Sequence, residues 1–242
     1  MSDAGRQAAD RFAVQYRALR IHEGWADADG QESPAVGRSG LWRHRVRTTT
    51  RAIGRLSGLL AVYGPAPVVV DMGSGGGWAA AAMKGADVIE VDLVEPTTSS
   101  TLWVRADMRE TPIESGSIDA VFFGASLHHA PLEEVIPEAA RILRQGGLLV
   151  ATDSPIYPDE RSRLQAKARS DAYYASAGFP GLIGHYHPIA VGQLRQALES
   201  SGFRVHDLDL GARGLPLLRR LTRRAPASLV VAEKIRHASG YA

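Results

Sequence analysis

A chain of 242 residues suffices for one α/β domain with a sizeable core, and 45% hydrophobic with 22% charged residues is a globular composition. The absence of cysteine excludes disulfides and thiolate metal sites, and no run approaches the ~20 apolar residues of a membrane span. A formal net charge of only +2 speaks against a nucleic-acid partner, and the polar start MSDAGRQAADRF lacks the apolar stretch of a secretory signal, so a cytoplasmic address is expected.

Phe12, Tyr16 and Leu19, spaced i, i+4, i+7, predict a first helix. The Gly-, Asp- and Ser-rich stretch Gly24 to Gly40 reads as a loop, and a second helix is expected from about Thr48 to Val62, closed by Gly64-Pro65. Residues 1–64 therefore read as a helical N-terminal cap on a main domain, 65–242. Arginines cluster at Arg43, Arg45, Arg47, Arg51 and Arg55, and again at Arg219, Arg220, Arg223 and Arg224; solvated helix faces are the expectation for both.

From Val68 the texture becomes alternating strand and helix. Strands are expected at Val68–Asp71, Val88–Val94, Leu102–Ala106, Ile118–Gly124 and Leu148–Thr152, the pattern of a doubly wound parallel sheet. RILRQGG, from Arg141, reads as a helix end with glycine in the cap position. The segment 153–188 reads as a long, irregular substrate-side insertion. A helix at Val191–Ser200 follows, then a strand FRVHDLDL, a short basic helix and a strand ASLVVAEKI at one edge of the sheet.

VVVDMGSGGGW, from Val68, turns a buried strand through glycines into an alanine run, which brings bare backbone up to a ligand. A dinucleotide fingerprint needs a small residue where Trp78 stands; the pattern present is D-x-G-x-G-x-G, from Asp71 to Gly77. Together with ADMRETPIESGSIDAVFFGASLHHA, from Ala106, and RILRQGGLLVATD, from Arg141, this stretch resembles the core of a class I S-adenosylmethionine-dependent methyltransferase of the small-molecule, methyltransferase type 11-like group. The three blocks stand in that family's order.

The resemblance implies a Rossmann-like, mostly parallel seven-stranded sheet with one reversed edge strand, and S-adenosyl-L-methionine as cofactor. It implies that Asp71, Gly73, Ser74, Gly75 and Gly77 hold the cofactor's amino-acid end, with Gly124 nearby on the fourth strand. Glu95 is preferred over Asp92 for the ribose hydroxyls. Asp107 is expected to accept from the adenine amino group, with a backbone N–H and apolar cover from Met108. PTTSST, Pro96 to Thr101, is too short for the helix that the family places between its second and third strands.

The chemistry expected is in-line methyl transfer to an oxygen, nitrogen or carbon of a small-molecule acceptor. SLHHAP, after the fourth strand, offers His128 first and His129 second as base. Tyr157, Tyr173, His185 and His187 are expected to line the acceptor pocket. His185 and His187 stand two apart, but no third ligand follows at useful spacing, so no metal is expected. A nucleic-acid methyltransferase and a non-catalytic methyltransferase-like binding protein are the rival readings. The acceptor and the oligomeric state are not written in the sequence.

Overall fold

β-Branched side chains suit a sheet buried on both faces, and the valine-rich segments form the centre of the molecule. The computed structural model describes residues 3–35, 42–96, 101–210 and 228–235. Its strands are β1 (Val68–Met72), β2 (Asp87–Asp92), β3 (Leu102–Arg105), β4 (Ile118–Gly124), β5 (Leu143–Thr152), β6 (Ile156–Tyr157), β7 (Ile189–Ala190), β8 (Phe203–Asp209) and β9 (Leu229–Lys234). Seven of them form one sheet in the order β3-β2-β1-β4-β5-β9-β8, while β6 and β7 make a small parallel pair. The pairs from β3 through to β5 are parallel, and β9 runs antiparallel to both β5 and β8. The mostly parallel doubly wound sheet is therefore as the sequence implied, but the reversed strand is not at the edge: it is β9, inserted between β5 and the edge strand β8.

Six α-helices are described: α1 (Asp3–His22), α2 (Trp42–Leu60), α3 (Trp78–Ala82), α4 (Leu132–Ile142), α5 (Glu160–Ser176) and α6 (Val191–Ser200). β4 shows how the sheet holds two layers. Phe122 and Phe123 are both fully buried, and successive strand residues face opposite sides. Phe122 packs with Ala52 and Leu56 of α2 and Ala80 of α3, while Phe123 packs with Val135 and Ile136 of α4 and Leu198 of α6. Truncating either ring to alanine is expected to cost about 3–5 kcal/mol.

The segment expected as an N-terminal cap divides in two. α2 is a layer of the main core, through Ala52, Ile53, Leu56 and Leu60. α1 instead reaches the far end of β3, where Asp10 pairs with Arg105, and Gln15 accepts the Gly181 N–H at 2.9 Å.

Four local expectations are corrected. α2 begins at Trp42 rather than near Thr48, because Trp42 is itself buried, donating its indole N–H to the Trp25 carbonyl at 3.1 Å. The segment after Asp153 is not irregular: it holds the 17-residue α5, capped by Asp159, whose carboxylate accepts the Ser162 N–H at 2.7 Å. RILRQGG is not a glycine-capped helix end. α4 stops with Leu143 as its cap, and residues 143–147 already belong to β5, with Leu143 paired to Ile118. Finally, β1 extends one residue beyond Asp71, to Met72. The expected short basic helix lies outside the described residues, as does most of PTTSST.

Candidate functional site

β1 has β2 on one side and β4 on the other, and the connections leave in opposite directions, which opens a crevice at the carboxyl ends of these strands. The glycine loop fills the start of that crevice. Gly73 (φ +75°), Gly75 (φ +55°) and Gly77 (φ +75°) all adopt the left-handed region that glycine alone enters cheaply. A Cβ on Gly73 would lie 2.5 Å from the Ser126 Cβ, and one on Gly77 would lie 2.6 Å from Glu90 Oε2. At Gly75 a Cβ would meet nothing within 4 Å, so that position opens onto free space. Gly77 is the residue before α3 and sits beneath the loop rather than on the cavity wall.

That free space is a cavity of about 1350 Å³. Gly73, Ser74, Gly75, Asp92, Glu95, Asp107, Met108, Gly124, His129, His185 and His187 all line it, which brings together most of the residues singled out in the sequence. Ser126 ties its floor together, donating its hydroxyl to the Met72 carbonyl at 2.5 Å.

Asp92 ends β2 and braces the loop: its carboxylate accepts the N–H of Gly75 at 2.8 Å and of Val94 at 2.9 Å. Burial outweighs those bonds and pushes its pKa up to about 6. Glu95 lies beyond the strand and is exposed. Asp71 lies under the loop, 1% exposed, with no hydrogen-bond partner for Oδ2 among the described residues. Burial, then the charges of Glu90 and Asp92, pushes its pKa to about 8. The Ser74 hydroxyl is likewise buried without a partner among the described residues. A buried, acidic, under-bonded pocket beneath bare backbone suits a ligand with a cationic amino-acid end and hydroxyls, and the donor and acceptor set fits S-adenosylmethionine.

Asp107 follows β3, where both carboxylate oxygens accept from Arg109, Oδ1 from Nε at 2.9 Å and Oδ2 from Nη2 at 2.7 Å. Burial opposes its ionisation, but the Arg109 bonds win and hold its pKa below the usual range. A carboxylate has about four lone-pair sites, so capacity for an adenine amino group remains.

The two histidines part ways. A 3₁₀ turn, Leu127–His129, points them differently. His128 is off the cavity wall, its Nδ1 3.2 Å from the Ser154 hydroxyl and its ring edge-on to Tyr186. His129 lines the cavity, edge-on to Tyr16 at 5.6 Å. Burial, then Arg20 and Arg45, pushes the His129 pKa down to about 3, so its imidazole is neutral. Tyr157 lies 3.4 Å from the Tyr186 hydroxyl and Tyr173 is 40% exposed; the structure brings neither to the cavity.

Sequence reasoning missed the opposite wall. Phe12 and Tyr16 of α1 stack at 5.4 Å, and Phe12 lies 4.8 Å from the His185 ring. Arg20, Glu32 and Arg45 complete the wall. Glu32 lies close over the loop, its carbonyl oxygen 1.9 Å from where a Gly76 Cβ would stand. The i, i+4 spacing of Phe12 and Tyr16 was visible as a helix face, but nothing in it named these two side chains as cavity lining.

Residues 70–151 match the family model described as "Methyltransferase domain". The central part of the chain, residues 70–151, is thus a methyltransferase domain. Among curated proteins, an uncharacterised chloroplastic methyltransferase of Arabidopsis thaliana is 45% identical over 58 residues, 24% of this chain and 16% of that one. The sarcosine/dimethylglycine N-methyltransferase of Halorhodospira halochloris is 32% identical over 127 residues, 46% of this chain and 45% of that one. The chain thus spans less than half the length of these curated relatives. Among solved structures, a geranyl diphosphate methyltransferase bound to its diphosphate and sinefungin superposes with a TM-score of 0.65 at 17% identity, covering 97% of this chain and 99% of that one. The 1,6-didemethyltoxoflavin-N1-methyltransferase of Burkholderia thailandensis gives 0.57 at 17% identity, covering 94% and 91%. At that identity these two structures speak for the fold. Among the described residues, no helix is long and apolar enough to cross a membrane.

Proposed function

We propose that this methyltransferase moves the methyl group of S-adenosylmethionine to an oxygen, nitrogen or carbon atom of a small-molecule acceptor. One observation carries the reading: a glycine cradle with Asp92 at its edge opens into a cavity of about 1350 Å³ that continues to His129 and the α1 aromatics. Single-ligand pockets run to about 300–1,000 Å³, so this one has room for two molecules side by side. The small acceptors named for the similar proteins, sarcosine, geranyl diphosphate and didemethyltoxoflavin, support an acceptor of that size. The cytoplasmic address expected from composition belongs to the same proposal.

When bound, the cofactor supplies a methyl group already activated on a sulfonium. The chain's own residues hold and orient. Gly73 and Gly75 present backbone to the amino-acid end, and Asp71 and Ser74 offer buried acceptors beneath it. Asp92, ending β2 and facing the cavity, is the better ribose partner, with Glu95 at the rim. Asp107 and Met108 serve the adenine. His129 rather than His128 meets the acceptor. With a pKa near 3 its neutral ring is a weak base, so it orients the nucleophile by hydrogen bonding. Rate enhancement then rests on alignment and exclusion of water by α1.

The test is release of S-adenosylhomocysteine, measured by mass spectrometry with S-adenosylmethionine and a panel of small amines, phenols and carboxylic acids. A methylated product from one class, lost in Gly75→Trp, supports the proposal. Methylation of RNA or DNA with no small-molecule product would refute it.

A further inference from the structure

Asp107 and Arg109 stand in the turn after β3, and both line the cavity. The Arg109 guanidinium meets the Asp107 carboxylate edge to edge, with Nε on Oδ1 at 2.9 Å and Nη2 on Oδ2 at 2.7 Å. The Arg109 backbone N–H adds a third bond, to Oδ1 at 2.9 Å. On its outer side Arg109 is itself held, donating from Nη1 to Glu134 of α4 at 3.1 Å. One carboxylate of the cavity wall is thus gripped by three donors of a single residue, which is anchored in turn on a separate helix.

The donors decide what is left over. An ionised carboxylate has about four lone-pair sites, shared between its two oxygens. Arg109 fills both sites of Oδ1 and one of Oδ2, so a single acceptor site remains, on Oδ2. A carboxylate without such a partner turns about its Cβ–Cγ bond and adapts to several donor patterns. Two parallel bonds from a rigid planar fork fix its plane and forbid that turn. Burial disfavours its charge, but the Arg109 bonds outweigh burial, so the group stays ionised and accepts without donating. The adjacent Met108 N–H has no hydrogen-bond acceptor among the described residues, which sets one donor beside the one open acceptor. That pair matches a base edge with an amino group next to a ring-nitrogen acceptor, as in adenine. It mismatches hypoxanthine, which presents a carbonyl next to an N–H.

We propose that Arg109 is a positioning residue that locks Asp107 in one orientation, and thereby sets the preference of the cavity for an adenine over a hypoxanthine nucleoside. The proposal rests on the reading of the cavity as an S-adenosylmethionine site. Arg109 acts through Asp107. Its side chain is 47% exposed and that of Glu134 46%, so the pair adds little to stability and Arg109 variants are expected to fold.

The experiment is calorimetric titration of the wild type, Arg109→Ala and Arg109→Lys with S-adenosylhomocysteine and with its hypoxanthine counterpart, S-inosylhomocysteine. The wild type is expected to bind the adenine ligand about 10- to 100-fold more tightly. In Arg109→Ala the adenine ligand weakens about tenfold while the hypoxanthine ligand is unchanged, which lowers the ratio and also shows that the variant is folded. Arg109→Lys, which keeps the charge without the fork, restores the ratio only in part. A loss common to both ligands, which leaves the ratio as it was, marks Arg109 as merely structural and overturns the proposal. A wild-type ratio in either variant, or a wild type without the preference, overturns it too. A wild type that binds neither nucleoside overturns the cofactor reading, and the proposal falls with it.

Discussion

Replacing Asp92 by asparagine separates what this residue does for folding from what it does for binding. In the native chain burial raises its pKa from 3.8 to about 6, even though two backbone N–H groups donate to it. Between those two values the folded state keeps a proton that the unfolded chain has released. Stability therefore falls as pH rises through this window, and the full cost stands above it. At about 1.4 kcal/mol per pH unit that cost is about 3 kcal/mol. The amide is always neutral and escapes this penalty, but its nitrogen cannot accept, so one of the two backbone N–H groups loses its partner at a pH-independent cost of about 1–3 kcal/mol. The stability of Asp92→Asn relative to the wild type is thus expected to rise by about 1.5 kcal/mol between pH 5 and pH 8. Its affinity for S-adenosylhomocysteine should meanwhile fall about tenfold or more, since an ionised acceptor for the ribose hydroxyls is gone. Urea unfolding at the two pH values, paired with calorimetry, checks both. A variant whose stability relative to the wild type does not rise between pH 5 and pH 8, or one with undiminished affinity, would refute this reasoning.

Gly76→Ala and Gly75→Ala should differ sharply, because a Cβ at Gly76 would lie 1.9 Å from the Glu32 carbonyl while one at Gly75 meets nothing within 4 Å. Thermal unfolding is expected to show a cost of about 1–2 kcal/mol at Gly75, from backbone strain, and a larger one at Gly76 with loss of S-adenosylhomocysteine binding. Asp71, with its pKa near 8, is largely protonated at pH 7; a cationic ligand favours its ionised form, so S-adenosylmethionine binding should release a fraction of a proton. Calorimetry in buffers of different ionisation enthalpy measures it; S-adenosylhomocysteine, which keeps the ammonium, should release a similar fraction, and 5′-methylthioadenosine, which lacks the amino-acid end, should release less. Glu138→Ala removes the acceptor of Thr111 N–H at 2.8 Å and of two Arg141 bonds at 2.7 Å; because Arg141 is exposed and only the Thr111 groups are left buried, the expected cost is about 1–3 kcal/mol, a fall in Tm of about 2–10 °C.

The parts of the fold that were legible are those set by neighbours in the chain. Three valines, an aspartate and a glycine run specify strand, turn and helix within a dozen residues, and β1 and its loop stand where they were expected. α5 was illegible because it buries only Ala166, so no apolar stripe marks it as a helix. The outer wall of the site was illegible for a different reason. Arg45 stands in a run of arginines that looks solvated, and only the docking of α2 against Trp25 turns it inward. The order of His128 and His129 depended on a single 3₁₀ turn, whose direction two adjacent histidines do not reveal.

The central claim is that the glycine loop holds S-adenosylmethionine. Calorimetric titration of S-adenosylhomocysteine into the wild type and Gly75→Trp tests it most directly, because a Cβ at Gly75 meets nothing within 4 Å and the position lines the cavity. Micromolar binding to the wild type, lost in a variant with an unchanged circular dichroism spectrum, is the expected result. No binding to the wild type, or equal binding to both, would contradict the claim.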